Sequence, residues 1–459
     1  MQIFKRLILL WLLLPVSAFA GNPNVHEMTL KNGLKVIVKE DHRSPVVVSQ
    51  IWYKVGSSYE HDGVTGLSHA LEHMMFKGTA KHGPNEFSRI IADNGGRENA
   101  FTSHDYTAYF QQLEKSRLKV SFELEADRMR NLTLSPKEFA KEIQVVMEER
   151  RMRTDDDPES LTDEQFNAVA FLNSAYRIPV IGWMDDLKSM RVKDLRNWYE
   201  TWYAPNNATL VVVGDVQPKH VFDMAKKYFG PLKPSTIPHV KPREEIPQTG
   251  IRRITVKAPA ELPYIIMGYK VPVLRTAKIK WEPYALDVLS GILSGGDSAR
   301  IPKNLIRGKQ VAAQASAGYD LDSRSDNLFE LDGTPAQGHN IDELETSLRD
   351  QIQKLRDNLV SDDELKRVKA QVVAGDVYQR DSLFYQAMMI GSLESVGLGW
   401  QVEDQYVDKI KAVTAEQVRD VARKYLIDDH LTVATLDPQP ISDKERMRRS
   451  QHSGGTNVR

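Results

Sequence analysis

The chain has 459 residues, 41% hydrophobic and 27% charged, with a formal net charge of -1. That is ordinary globular composition, long enough for two or more domains. The balanced charge gives no reason to expect nucleic acid or an anionic membrane as partner, and the lack of cysteine excludes disulfides and lipid-modified cysteine.

Residues 1–20 read as a secretory signal peptide. Lys5 and Arg6 form a basic start, Ile8 to Leu14 an apolar run, and Ala18-Phe19-Ala20 a small-x-small cleavage site. An uncleaved anchor is the alternative. The address implied is bacterial and periplasmic or secreted, with no membrane span after cleavage.

Met28 to Lys39, centred on Asn32-Gly33, reads as a hairpin, and Val46 to Val55 as an apolar strand. Gly66 to Phe76 reads as a helix with two unlike faces. His69, Glu72, His73 and Phe76 fall at i, i+3, i+4 and i+7, while Leu67, Ala70, Leu71 and Met74 lie opposite. Two imidazoles one turn apart, with a carboxylate between them, suit a tetrahedral zinc with one open position for water. Glu72 lies where it can take a proton from that water. This H-x-x-E-H pattern reverses the H-E-x-x-H zinc helix. It calls for a third ligand on a second helix.

A helix from about Pro84 to Asp93 follows, then Asn99 to Phe110 as a pair of strands, and helices over Leu113–Asn131 and Pro136–Arg153. The last of these supplies the ligand. Glu142 and Glu149 stand seven apart on one face, with Ala140, Ile143 and Met147 on the other and Glu148 pointing about a quarter turn away. Glu149 is the expected ligand and Glu142 a carboxylate orienting a ligand or the water. His61, His82 and His104 read as surface histidines.

Val192 to Tyr203 reads as a helix, Thr209 to Val213 as a buried strand, and Pro218 to Tyr228 as a helix. The proline-rich 233–250 reads as a linker. Strands at Ile254–Lys257 and Tyr264–Tyr269 follow, then helices at Trp281–Leu293, Ile341–Asn358 and Asp362–Ser395. The helix and strand from Val192 to Val213 recur from Val413 to Thr435, an offset of about 220 residues, so the chain reads as an internal duplication. The divisions expected are a domain over 24–232, a second over 251–440, and a disordered basic tail over 441–459.

His69, Glu72 and His73, with Glu142 and Glu149 some seventy residues on, resemble the pitrilysin/insulinase family of zinc peptidases, in the branch of the mitochondrial processing peptidase. The resemblance implies an α+β fold of two homologous domains. Each would be a mainly antiparallel sheet of about six strands with helices on one face. It also implies one zinc ion per chain on His69, His73 and Glu149, with Glu72 as base. Asn99 and Ala100 resemble the family's edge strand, to which substrate adds as a further strand. Phe76 is placed to line a pocket beside the scissile bond, or to belong to the core.

The function expected is a zinc endopeptidase acting on peptides or unfolded polypeptides. The alternative is a non-catalytic scaffold or peptide-binding subunit. The second half has no metal motif: Val288 to Gly296 is apolar. Family members carrying the whole catalytic set have an Arg and a Tyr seven residues apart in a C-terminal domain, which stabilise the oxyanion. Here Ile306 and Ala313 take those positions. The resemblance therefore implies a homologous partner subunit supplying the Arg-Tyr pair in a heterodimer, with a homodimer as the alternative.

Overall fold

The computed structural model describes residues 24–442 except Pro242. The expected signal peptide, and the tail from 443 onward, lie outside the described residues.

The first half runs β1 (Val25–Thr29), β2 (Lys35–Glu40), β3 (Val46–Tyr53), α1 (Leu67–Met74), α2 (Glu86–Asp93), β4 (Arg97–Thr102), β5 (Thr107–Glu114), α3 (Leu118–Asn131), α4 (Pro136–Arg150), α5 (Pro158–Ala170), α6 (Met184–Ser189), α7 (Val192–Trp202), β6 (Ala208–Gly214) and α8 (Pro218–Tyr228). The second half runs β7 (Arg252–Pro259), β8 (Tyr264–Val271), α9 (Glu282–Ser294), β9 (Ala312–Tyr319), β10 (Asn327–Pro335), α10 (Ile341–Asp357), α11 (Asp362–Gln379), α12 (Leu383–Val396), α13 (Gln401–Ala412), α14 (Ala415–Tyr425) and β11 (Leu431–Gln439).

The first sheet has six strands in the order β1-β2-β6-β3-β5-β4, and the second has five in the order β7-β11-β8-β10-β9. Removing β1 makes the two orders equivalent. Each strand of the second sheet follows its counterpart by about 220 residues. Pairing is antiparallel except for β2 with β6 and β7 with β11. The duplication legible at the ends of the two halves thus extends through both sheets.

Strands β3 and β6 are buried at nearly every residue. Strands covered on one face alternate, and continuous burial means both faces are covered. One face of the first sheet packs on α1, α3, α4, α7 and α8 in a shared core that includes Ile51, Leu71, Phe122, Val146 and Phe229. The other face is closed by the second half: Ala387 and Ile390 of α12 pack on Ile37, Val48, Trp52 and Val211. The exchange is mutual. Phe166 and Ala170 of α5 pack on Tyr264, Ile266 and Ala434 of the second sheet. Each sheet therefore has its own helices on one face, as expected, and a helix from the other half on the second face.

Polar contacts fasten the same joint. Lys35 Nζ lies 3.0 Å from Glu394 Oε2. Arg324 Nε donates to Asp105 Oδ1 at 2.9 Å, and the Ser325 backbone N–H donates to the Tyr176 hydroxyl at 3.1 Å.

Several sequence expectations shift. Asp362–Ser395 is two helices, because the chain turns at Arg380–Ser382 and the Ser382 side chain caps α12. Leu113 and Glu114 end strand β5 rather than open a helix. Ala140 is exposed, and Val146 holds the buried face of α4 in its place. The sequence reading passed over α5, α6, α13, β9 and β10.

Candidate metal and catalytic site

Helix α1 is fixed from its first turn. The Glu60 carboxylate, 1% exposed, accepts from the backbone N–H groups of Gly66 and Ser68, each at 2.7 Å. Those are donors that a helix start leaves without partners. Gly66 itself takes φ 85 and lies against Gly182, where a Cβ would meet the Ile181 carbonyl oxygen at 2.7 Å. Asp186 Oδ2 holds the preceding loop through the backbone N–H groups of Gly63 and Thr65. The apolar face of α1 is buried as its spacing requires, with Leu67, Ala70, Leu71 and Met74 at 3% exposure or less.

The second face of α1 meets α4. His69, His73 and Glu149 each offer a ligand atom, and these atoms all lie within 4.8 Å of one another. Glu149 Oε2 is 3.3 Å from His73 Nε2 and 3.8 Å from His69 Nε2. Ligands at bond lengths near 2.0–2.1 Å around a tetrahedral zinc stand roughly 3.3 Å apart. The donor set fits that ion and the Glu149–His73 spacing matches it; the wider separations must close for all three side chains to reach one ion.

The groups behind these side chains fix their orientation. Glu142 Oε1 lies 2.9 Å from His73 Nδ1 and leaves Nε2 as the ring atom facing Glu149. Lys77 Nζ takes the other Glu142 oxygen at 2.8 Å. Arg153 Nη1 takes Glu149 Oε1 at 2.6 Å. Glu72 accepts from the Thr102 hydroxyl on strand β4 at 2.6 Å.

The electrostatics follow from this wiring. Burial, reinforced by His73, pushes His69 down to about 4, so its ring is neutral and keeps a lone pair. Burial acts on His73 in the same direction, but Glu142 and Glu149 outweigh it and raise it to about 9. Burial would raise Glu142 and Glu149, and His73 leads the groups that hold both below the usual carboxylate range. Burial raises Glu72, with Thr102 opposing. A bound cation would reverse the balance at His73, competing with its proton.

Strand β4 is the edge of its sheet. Ala100 packs toward the α1 side of the core, whereas Phe101 points to the other face against Trp52. Asn99 is exposed, and its side-chain oxygen accepts from the Ala100 N–H at 2.9 Å. Phe76 is half-buried beside Phe87 and Tyr109, with the Arg128 guanidinium 5.1 Å from its ring. In that position Phe76 packs against the first core. His104 departs from expectation. It is half-buried, with Nδ1 2.8 Å from Ser57 Oγ and its ring against Tyr176.

The second half fills the equivalent place with packing. Helices α9 and α11 stand where α1 and α4 stand in the first half. Gly291 of α9 lies so close to Val368 of α11 that a Cβ on it would sit 2.7 Å from Val368 Cγ1. No side chain could ligate across that contact.

Comparison with known proteins decides the family. Residues 35–182, which hold all five of the expected metal and catalytic residues, match the family described as "Insulinase (Peptidase family M16)". Residues 189–372 match "Peptidase M16 inactive domain". The chain belongs to the insulinase family of peptidases. A zinc protease, PqqE, from Helicobacter pylori is 36% identical over 355 residues, 76% of this chain and 78% of that one. A crystal structure of a protease from Helicobacter pylori superposes with a TM-score of 0.86 at 32% identity, covering 91% of this chain and 100% of that chain. A probable mitochondrial-processing peptidase subunit beta from Arabidopsis thaliana is 25% identical over 449 residues, 93% of this chain and 81% of that one. Most of the inactive-domain match falls on the half whose helices α9 and α11 are closed by Gly291 and Val368; its first part also covers α7, β6 and α8 of the half that carries the histidines.

Sequence reasoning missed Thr102, Lys77, Arg153 and Glu60. Lys77 and Arg153 were findable, each being one turn beyond a residue already singled out, His73 and Glu149. Thr102 and Glu60 act across the fold and carry no local signal.

Proposed function

We propose that this insulinase-family chain is a zinc-dependent endopeptidase that hydrolyses peptides or unfolded polypeptides. The observation that carries the reading is the convergence of His69, His73 and Glu149, with Glu72 beside them on α1. These three side chains would hold one zinc ion per chain, with Glu142 orienting His73. Zinc in such a site supplies a Lewis acid and brings water toward ionisation at neutral pH. Glu72, held by Thr102, takes the proton from the attacking water and returns it to the leaving amine. The free edge of β4 at Asn99 and Ala100 grips an extended substrate by its main chain, and Phe76 borders the bound side chain.

The chain acts as the zinc-bearing subunit of a heterodimer. Ile306 is packed at the edge of the second core and Ala313 lies on the edge strand β9, and neither aliphatic side chain carries a donor for an oxyanion. The partner is a homologous subunit that supplies the Arg-Tyr pair. The subunit designation of the Arabidopsis thaliana relative supports a shared assembly. A homodimer using other donors is the second arrangement. The signal-like residues 1–20 direct the chain to the periplasm or beyond. Among the described residues, no helix is long and apolar enough to cross a membrane.

The test is cleavage of an unstructured peptide by the chain with its co-purifying partner, before and after chelation and after zinc is restored. Loss and recovery of cleavage support the reading. Metal-replete protein with under one zinc for every two chains supports the scaffold reading instead.

A further inference from the structure

We infer that Arg153 is a positioning residue for Glu149, confining that carboxylate to a single donor oxygen toward the two histidines. The inference rests on the proposed metal site and adds a residue to it.

The chain past α4 does not continue as an ordinary helix. Arg151–Asp155 forms a π-helical turn, a wider winding that recurs at functional sites. Arg153 is carried on that turn, and its Nη1 reaches back 2.6 Å to Glu149 Oε1. The other oxygen, Oε2, is the one that faces His73 and His69. Lys77 treats the neighbouring glutamate in the same way, taking the Glu142 oxygen that His73 does not use. Each carboxylate therefore has one oxygen on the histidine side and one held by a cation.

Stability does not account for the Arg153 contact. The Arg153 side chain is 73% exposed, and ion pairs so exposed contribute little to folding. What the contact does is geometric. Without it, Glu149 is free to rotate and offer both oxygens to one ion, adding a fifth donor beside the water.

The test uses the full chain with Arg153→Met, Arg153→Lys and, as a control on α4, Lys141→Met, an exposed lysine paired with half-buried Glu138. Zinc affinity is titrated against a competing chelator, and the cobalt-substituted protein is read by its visible absorption. Arg153→Met should weaken zinc binding about 10- to 100-fold, the usual effect of removing a partner behind a ligand. It should also weaken the cobalt bands, since five-coordinate ions absorb less than four-coordinate ones. Arg153→Lys should recover part of both, and Lys141→Met should change neither. A wild-type protein that binds zinc, with Arg153→Met matching it in affinity and spectrum, would overturn the inference alone. A wild-type protein that binds no zinc would overturn it together with the proposed site.

Discussion

The Thr102 hydroxyl on edge strand β4 donates to Glu72 Oε2 on helix α1 at 2.6 Å. One side chain thus ties the proposed base to the strand proposed to hold the substrate. Thr102→Val keeps the shape and removes the donor. Losing a hydrogen bond to a charged group costs about 1.5–3 kcal/mol. Turnover should therefore fall about 10- to 100-fold, with zinc content unchanged, as measured by steady-state kinetics beside a metal assay.

The joint between the halves depends on Gly391. A Cβ there would lie 2.0 Å from Trp52 Cε2, inside a wholly buried indole. The mirrored contact puts Gly268 of β8 under Phe166 of α5, where a Cβ would lie 2.6 Å from the ring. Gly391→Ala gains about 1 kcal/mol of helix propensity, and overpacking against a rigid ring costs about 1–3 kcal/mol or more. The net expectation is destabilisation, read as a lower denaturant midpoint by tryptophan fluorescence.

Acid should weaken the second half through Glu364. Arg300 grips it with two nitrogens, Nε to Oε1 at 2.7 Å and Nη2 to Oε2 at 3.0 Å. Arg300 is the main cause that brings the carboxyl from 4.5 down to about 2, against the effect of burial. The folded value lies below the unfolded one. The stabilisation is therefore complete above about pH 4.5 and is lost as pH falls toward 2. Glu364→Gln should be less stable than wild type at neutral pH, with the gap closing over that window in denaturant titrations.

The assembly is tested by mixing. The isolated chain should show little peptidase activity, and adding a co-encoded homologue that has an Arg-Tyr pair and lacks H-x-x-E-H should restore it. Each oxyanion donor is worth roughly a hundredfold or more in rate, so the change should be large. Full activity from the isolated chain, unchanged on mixing, supports the homodimer.

The site was legible in the sequence because both of its helices are amphipathic in an unusual way. His69, Glu72 and His73 replace the polar residues expected opposite Leu67 and Leu71, and Glu142 and Glu149 repeat that arrangement on α4. The elements that escaped notice have their partners elsewhere in the chain. Phe166 of α5 packs on the second half's sheet, so its burial has no local periodicity. Strand β9 is built of Ala, Gln, Ser and Gly with one Tyr, residues that mostly give weak strand signals. The break at Arg380–Ser382 lacks both glycine and proline. His104 was misread because its partner, Ser57, lies across the fold.

The central claim is that Glu72 is the base of a zinc peptidase, and Glu72→Gln in zinc-loaded protein with its partner present tests it most directly. Zinc content should equal that of wild type and peptide cleavage should be lower by about 100- to 10,000-fold, the contribution of general acid–base catalysis. A Glu72→Gln protein that holds zinc and cleaves unstructured peptides as fast as wild type would contradict it.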